Sequence, residues 1–272
     1  MQNSRKLFII FILINIMNMS CTKTNNSQSE INNETGNLNA SSDVVINETG
    51  NTTVNNIKNV NNSVFGTGFG GLAVSKDNKV QFYQNTGNSW QLMSGFDFTI
   101  PSGCDSVFSG NNLSVVKDGK VQFYEYIRNN WQLMRGLDFT LPNGYDSVFD
   151  FNGGNMAVII NNKVQVYEYT GANWQLIRGY DFMLPNRYDS VFDFSGGTMA
   201  VVIDNRVQLY QYSGTNWQLM NGYDFTLPNG YKSVFSIVLS GAMAVVINDK
   251  VHFYENTGTR WRLAPEHEFS IP

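Results

Sequence analysis

Carboxylates recur at fixed places in this sequence, and they are its best candidates for moving a proton or holding a cation. Asp97, Asp138, Asp181 and Asp224 each lie two residues past a glycine, with Glu268 in the fifth place. A second set is Asp105, Asp146 and Asp189, completed by Asn62 and Lys232. Two carboxylates flanking a bond can act as general acid and base. A catalytic pair is normally unique in a fold, however, whereas these occur once per repeat, which favours a structural role such as capping a turn. Other catalytic chemistry is scarce. The two histidines, His252 and His267, have no partner motif, and there is no Cys cluster, HExxH, Gly-x-Ser-x-Gly, phosphate loop or Asp-rich calcium loop. The expectation is a protein that is not an enzyme, with no cofactor and no metal.

Aromatic residues supply the other chemistry. Every tryptophan in the chain occupies one repeat position: Trp90, Trp131, Trp174, Trp217 and Trp261. Such a residue can be core between repeated units, its N–H satisfied at a strand end, or a platform for a sugar ring. The segments Asn143-Gly144-Tyr145, Asn186-Arg187-Tyr188 and Asn229-Gly230-Tyr231 each place an amide and a phenol beside Asp146, Asp189 or Lys232. Amides, carboxylates and exposed rings make glycan sites, and they are also ordinary loop residues. The candidate ligand-binding residues are therefore Tyr145, Asp146, Tyr188, Asp189 and Tyr231.

The elements that must position these residues follow from the spacing. Ser-Val-Phe begins at Ser63, Ser106, Ser147, Ser190 and Ser233, and a proline follows each Trp by 11 residues, at Pro101, Pro142, Pro185, Pro228 and Pro272. From each Trp to the next Ser-Val-Phe is always 16 residues, and from Val80, Val121, Val164, Val207 and Val251 to the following Trp is always 10. Within the fourth unit, Ser190–Phe194, Met199–Ile203, Val207–Tyr212 and Trp217–Met220 read as strands. Gly196-Gly197, Asp204-Asn205 and Ser213–Asn216 are the turns between them. The segment 221–231 carries the chain onward, with Pro228 ending regular pairing. Four antiparallel strands every 40–45 residues predict blades of a propeller, each needing its neighbours to bury both faces. The predicted fold is all-β: a five-bladed β-propeller over 62–272, with repeats at about 62–104, 105–145, 146–188, 189–231 and 232–272. Ser-Val-Phe is either the innermost strand of its own blade or the last strand of the preceding one.

Residues 1–21 form a separate object. Arg5 and Lys6 precede the 11-residue apolar run Leu7–Met17, too short to span a bilayer as a mature helix but suited to a secretory leader. Ser20-Cys21 after this run resembles a bacterial lipoprotein signal, although Asn18 stands where that family prefers an aliphatic residue. The resemblance implies lipidation of Cys21 and a membrane partner through a lipid anchor; cleavage by the ordinary signal peptidase is the other reading. Residues 22–61, rich in Asn, Ser and Thr with no aromatic, cannot offset the entropy of ordering. They read as a disordered tether reaching roughly 35 Å.

The stretch Val164–Ile177 resembles the kelch half-repeat, in which an aromatic precedes a Trp by seven residues, as Tyr167 precedes Trp174. Gly153-Gly154 lies before the second strand, unlike the kelch double glycine at that strand's end, and the unit is shorter. The units also resemble propeller repeats of bacterial surface proteins and, in number, the five-bladed tachylectin-like lectins. These resemblances imply a lipid-anchored lipoprotein of the bacterial cell envelope, at the outer membrane or cell surface, with a multivalent glycan-binding propeller. A non-catalytic scaffold or adhesion protein in an envelope protein complex is the other function they allow. Nucleic acid is excluded as a partner by 18 Lys+Arg against 22 Asp+Glu, a net charge of −4 with no basic patch.

Overall fold

The computed structural model describes residues 63–66, 71–87, 89–109, 112–152, 154–195, 197–237, 241–258, 260–264 and 268–272. The leader, the tether, Cys21, Asn62 and His267 lie outside them. Each repeat folds into its own antiparallel sheet. In the third, strands Ser147–Phe151, Asn155–Ile160, Lys163–Tyr169 and Trp174–Leu176 lie side by side in chain order. First strands touch their counterparts in neighbouring blades: Ser147–Phe151 meets both Cys104–Ser109 and Tyr188–Ser195, and Ser63–Gly66 meets Tyr231–Ile237. They therefore surround a common axis. The chain is a five-bladed β-propeller.

Register follows from turn chemistry. The tight turns after the second strands place Asp77-Asn78, Asn161-Asn162, Asp204-Asn205 and Asn248-Asp249 at positive φ, with Asp118-Gly119 in the second blade. Asn, Asp and Gly tolerate that conformation best, and two such residues give the turn whose twist matches a hairpin. One element escapes the sequence pattern. Phe98–Thr99, Phe139–Thr140, Phe182–Met183, Phe225–Thr226 and Phe269–Ser270 pair with the start of the third strand in their own blade. The segment expected to leave the sheet after the Trp strand thus returns to it, and the outer edge is a strand in two short pieces. An interrupted edge is a poor template for pairing with another chain.

Ser-Val-Phe belongs to its own blade, since Ser63–Gly66 pairs with Leu72–Ser75. Among the described residues the ring closes by packing, without an exchanged strand. Val64, Leu72 and Val74 of the first blade share a core with Phe235, Val246, Phe253 and Phe269 of the fifth. Four equivalent cores fill the other junctions. With its core shared between blades, a single repeat is not expected to be stable alone.

Gly66 marks the tightest approach at the closing seam. A Cβ placed there would lie 2.7 Å from the backbone oxygen of Ser236, with Ile237 and Phe235 side chains at 3.3 Å. Backbone cannot step aside as a side-chain tip can. Gly66→Ala is expected to destabilise the ring by about 1–3 kcal/mol, read as a lower thermal midpoint with unchanged far-ultraviolet circular dichroism at room temperature. An unaltered midpoint would mean that this seam is looser than the structure shows.

Each Trp clamps its blade to the previous one. Indole Nε1 of Trp131, Trp174, Trp217 and Trp261 donates to the backbone oxygen of Phe96, Leu137, Tyr180 and Tyr223, at 2.8, 2.8, 3.0 and 3.0 Å. The rings pack on aromatics of that earlier blade, with Trp131 stacked on Phe82 and Trp174 on Phe123. The tryptophans are inter-blade core.

Candidate functional site

Three members of the first carboxylate set hold the outer edge together, in the third, fourth and fifth blades. Asp181 pairs with Lys163, Asp224 with Arg206 at 3.1 Å and Glu268 with Lys250 at 2.6 Å. Each base opens the third strand of its blade, beside the returning outer piece. These groups therefore tie strands across the sheet, where the sequence pointed to turn capping. The Lys250 hydrogen bond holds the Glu268 carboxyl below its ordinary range, and His252 Nδ1 lies 3.4 Å from the same group.

The second set and its tyrosines gather at the end of the ring where first strands begin. Tyr145 and Tyr188 are 9% and 7% exposed and belong to the inter-blade cores, while Tyr231 is half-buried against the junction of blades four and five. The expectation of exposed rings is corrected here. In two cases the strand register shifts just after the tyrosine, between Tyr188 and Ser190 and between Tyr231 and Ser233. The structure brings Asp146 near Tyr188 and Asp189 near Tyr231, across blade boundaries. Burial and the Asp146 charge push the Tyr188 phenol up to about 12, and burial with Asp189 raises that of Tyr231. Partial burial raises the carboxyls of Asp146 and Asp189 as well. Lys232, in the same register, bonds Asp249 at 2.8 Å. Asp146 and Lys232 are exposed, and Asp189 and Tyr231 are half-buried.

A cleft opens at the opposite end of the ring, between the second and third blades. Its volume is about 150 Å3, and its walls include Ser114, Phe123, Asp150, Met156, Tyr169 and Trp174, with Asn112, Leu137 and Gly154 completing them. Its inner wall is buried, with Asp150 only 6% exposed on the first strand of blade three and Ser114 2% exposed on the second strand of blade two.

The reason for an opening here is visible by comparison with other junctions. Between blades one and two, Tyr126 stacks on Phe96 at 4.2 Å and donates to Gly95 O. Between blades three and four, Tyr212 and Tyr180 lie 4.0 Å apart, and Phe151 packs on Trp217. At the second junction Leu137 stands in place of Phe96 or Tyr180. Tyr169, lacking that aromatic partner, donates to Gly171 O of its own turn. The repeat position of Phe151 and Phe194 is Gly110 in the second unit. An aromatic filler is thus exchanged for a smaller side chain. Two polar groups arrive at the same junction: Ser114 where other blades carry alanine, and Asp150 where the first, second and fifth carry Gly66, Ser109 and Ser236.

The fourth blade also carries an aspartate at that position, Asp193, but in a filled junction. It is 3% exposed, and its Oδ2 accepts from Asn152 N at 3.2 Å. Its Oδ1 has no hydrogen-bond partner among the described residues. Burial pushes its carboxyl up to about 7 against the single backbone donor. These inner residues do not recur in every repeat, so the spacing that marks the blades does not mark them. The signal lay in the positions that break the repeat.

No protein-family model matches the chain, and no curated protein matches it in sequence. Among solved structures it is similar to a functionally unknown protein from Desulfotomaculum acetoxidans, at 13% identity over 74% of this chain and 68% of that one, TM-score 0.39. It is similar to the WD40 domain of SCAP from fission yeast at 12% identity, covering 77% of this chain and 52% of that one, TM-score 0.39. A chain of the Mitotic Checkpoint Complex aligns at 12% identity over 83% of this chain and 88% of that one, TM-score 0.43. Likeness at this level leaves function to be argued from the chain's own residues.

Proposed function

We propose that the protein is a non-catalytic binding module that seats a glycan unit in the cleft between its second and third blades. One observation carries this reading: a cleft of about 150 Å3 with rings of Phe123, Tyr169 and Trp174 on its walls and Asp150, Ser114 and Asn112 as polar groups. Apolar walls with a few placed acceptors and donors are what a small-ligand site requires. A sugar offers both an apolar ring face and hydroxyls to match them. The candidate carboxylates Asp146 and Asp189 lie at the other end of the ring, where repeated weak contacts could add avidity. The lipoprotein-type leader and tether support an envelope location with lipid on Cys21.

Binding of the purified protein to a glycan array tests the proposal. Selective binding that falls at least tenfold in Asp150→Ala, with the unfolding midpoint kept, is the expected result. A blank array would favour the second reading, a protein-binding scaffold. That alternative rests on an apolar rim: Leu92, Leu133, Leu176, Leu219 and Leu263 are each about two-fifths exposed at the same place in every blade, and Met183 is 64% exposed.

A further inference from the structure

We infer that Tyr169 is the stacking platform of this cleft and the residue that sets its specificity. Within the glycan reading, on which this rests, a pyranose lays its C–H face on the Tyr169 ring. It takes the seat that an aromatic side chain fills at the junctions on either side. The repeat gives the measure of that seat. Between blades one and two, Phe96 stacks on Tyr126 with centroids 4.2 Å apart and planes at 22°, and between blades three and four Tyr180 lies 4.0 Å from Tyr212 at 32°. Leu137 holds the equivalent place beside Tyr169. Its backbone has not moved away: Trp174 Nε1 donates to Leu137 O at 2.8 Å, as Trp131 and Trp217 donate to Phe96 O and Tyr180 O at 2.8 and 3.0 Å. The change is confined to the side chain, and both Leu137 and Tyr169 line the cleft.

The tyrosine keeps its pose without that partner. Tyr169 sits 5.5 Å from Trp174 at 54°, close to the 5.3 Å and 64° of Tyr126 on Trp131 and the 5.6 Å and 57° of Tyr212 on Trp217. The indole braces the tyrosine alike in all three blades, so the difference lies on the side where the ring partner would stand. The hydroxyls differ in the same way. Tyr126 donates to Gly95 O at 2.8 Å and Tyr212 to Gly179 O at 3.2 Å, each tying the turn beside its ring partner. Tyr169 donates to Gly171 O of its own blade at 3.2 Å, so the equivalent turn at Gly136 lacks the tyrosine tie. A pyranose has the outline of the omitted ring and an apolar face to lie on Tyr169. Its hydroxyl edge would meet Ser114 and Asn112 on the blade-two wall.

The test is calorimetric titration of the full-length protein and its variants with methyl β-D-galactopyranoside, methyl β-D-glucopyranoside and N-acetylphenylalaninamide. At least one glycoside is expected to bind. Leu137→Phe restores the filler of the first junction, and should weaken that binding by about tenfold or more while keeping or raising the unfolding midpoint. Tyr169→Ala should lose as much. Tyr169→Phe, which keeps the ring without the hydroxyl, should stay within about threefold of the parent. Magnetisation saturated on the protein's aromatic protons should pass to the C–H protons of one pyranose face, a signature that a merely structural tyrosine would not give. A glycoside that binds the parent and all three variants equally would overturn the stacking inference and leave the glycan reading standing. If N-acetylphenylalaninamide binds with this dependence on Leu137 and Tyr169 and neither glycoside binds, the stacking platform stands and the glycan reading falls. Failure of all three probes to bind would overturn both.

Discussion

Replacing Trp217 with alanine is expected to cost about 3 kcal/mol, the lower end of the range for deleting a large aromatic, because the ring is half-buried. The loss has two parts. The indole packs within 5.5–6.2 Å of Phe182, Tyr212, Phe151 and Tyr180, so its removal leaves a cavity lined by rings. Its Nε1 also donates to Tyr180 O at 3.0 Å, and that acceptor would lose its partner. Trp217→Phe separates the two contributions. It should restore most of the packing and keep a deficit of about 1 kcal/mol for the missing hydrogen bond. Urea unfolding followed by circular dichroism measures both variants, and the slope with denaturant should not change. Equal losses for Ala and Phe would show that the hydrogen bond, and not the packing, holds the third and fourth blades together.

Asp193→Asn should act in the opposite direction and only at higher pH. The folded protein retains the Asp193 proton up to about pH 7, whereas the unfolded chain releases it near 3.8. The folded state therefore binds more protons between those values, and stability falls as pH rises through that window. The contribution of this group is complete below pH 3.8, declines toward 7 and stays at its low level above. The pKa difference corresponds to at most about 4 kcal/mol. Asparagine keeps an acceptor for Asn152 N without the charge. The variant should thus gain roughly 2–4 kcal/mol at pH 8, and differ little from the parent near pH 4. Unfolding midpoints across this range decide the matter. A gain that is the same at both ends would remove ionisation as its cause.

These two residues also show what the sequence does and does not disclose. Trp217 is legible because its spacing to Val207 and Pro228 is invariant across the repeats, and an invariant spacing in a repeat protein means shared core. Asp193 looks like any other polar residue in a strand beginning Ser-Val-Phe. Its burial depends on the neighbouring blade, and lateral packing leaves no trace in local periodicity. Phe225–Thr226 is invisible for another reason: two residues cannot display an alternation, and Pro228 two residues later points to a loop. Tyr188 is legible as a recurring aromatic, but its burial comes from the core it shares with the third blade. The cleft could have been read by asking where the repeats disagree. Ser114, Leu137 and Asp150 depart from most of their equivalents, and all map to one junction.

Because the ring closes by side-to-side packing of Val64, Leu72 and Val74 on the fifth blade, its first apolar face must wait for its last partner. At ribosomal rates of 5–20 residues per second, Phe269 emerges roughly 10–40 s after Leu72. Throughout that interval the growing stack ends in two bare, greasy surfaces, one at each side. Each new blade covers one of them and creates another, so the hazard is passed along the chain and discharged only when the fifth blade arrives. The polar stretch ahead of residue 63 is synthesised before either surface exists, and accompanies the nascent domain throughout.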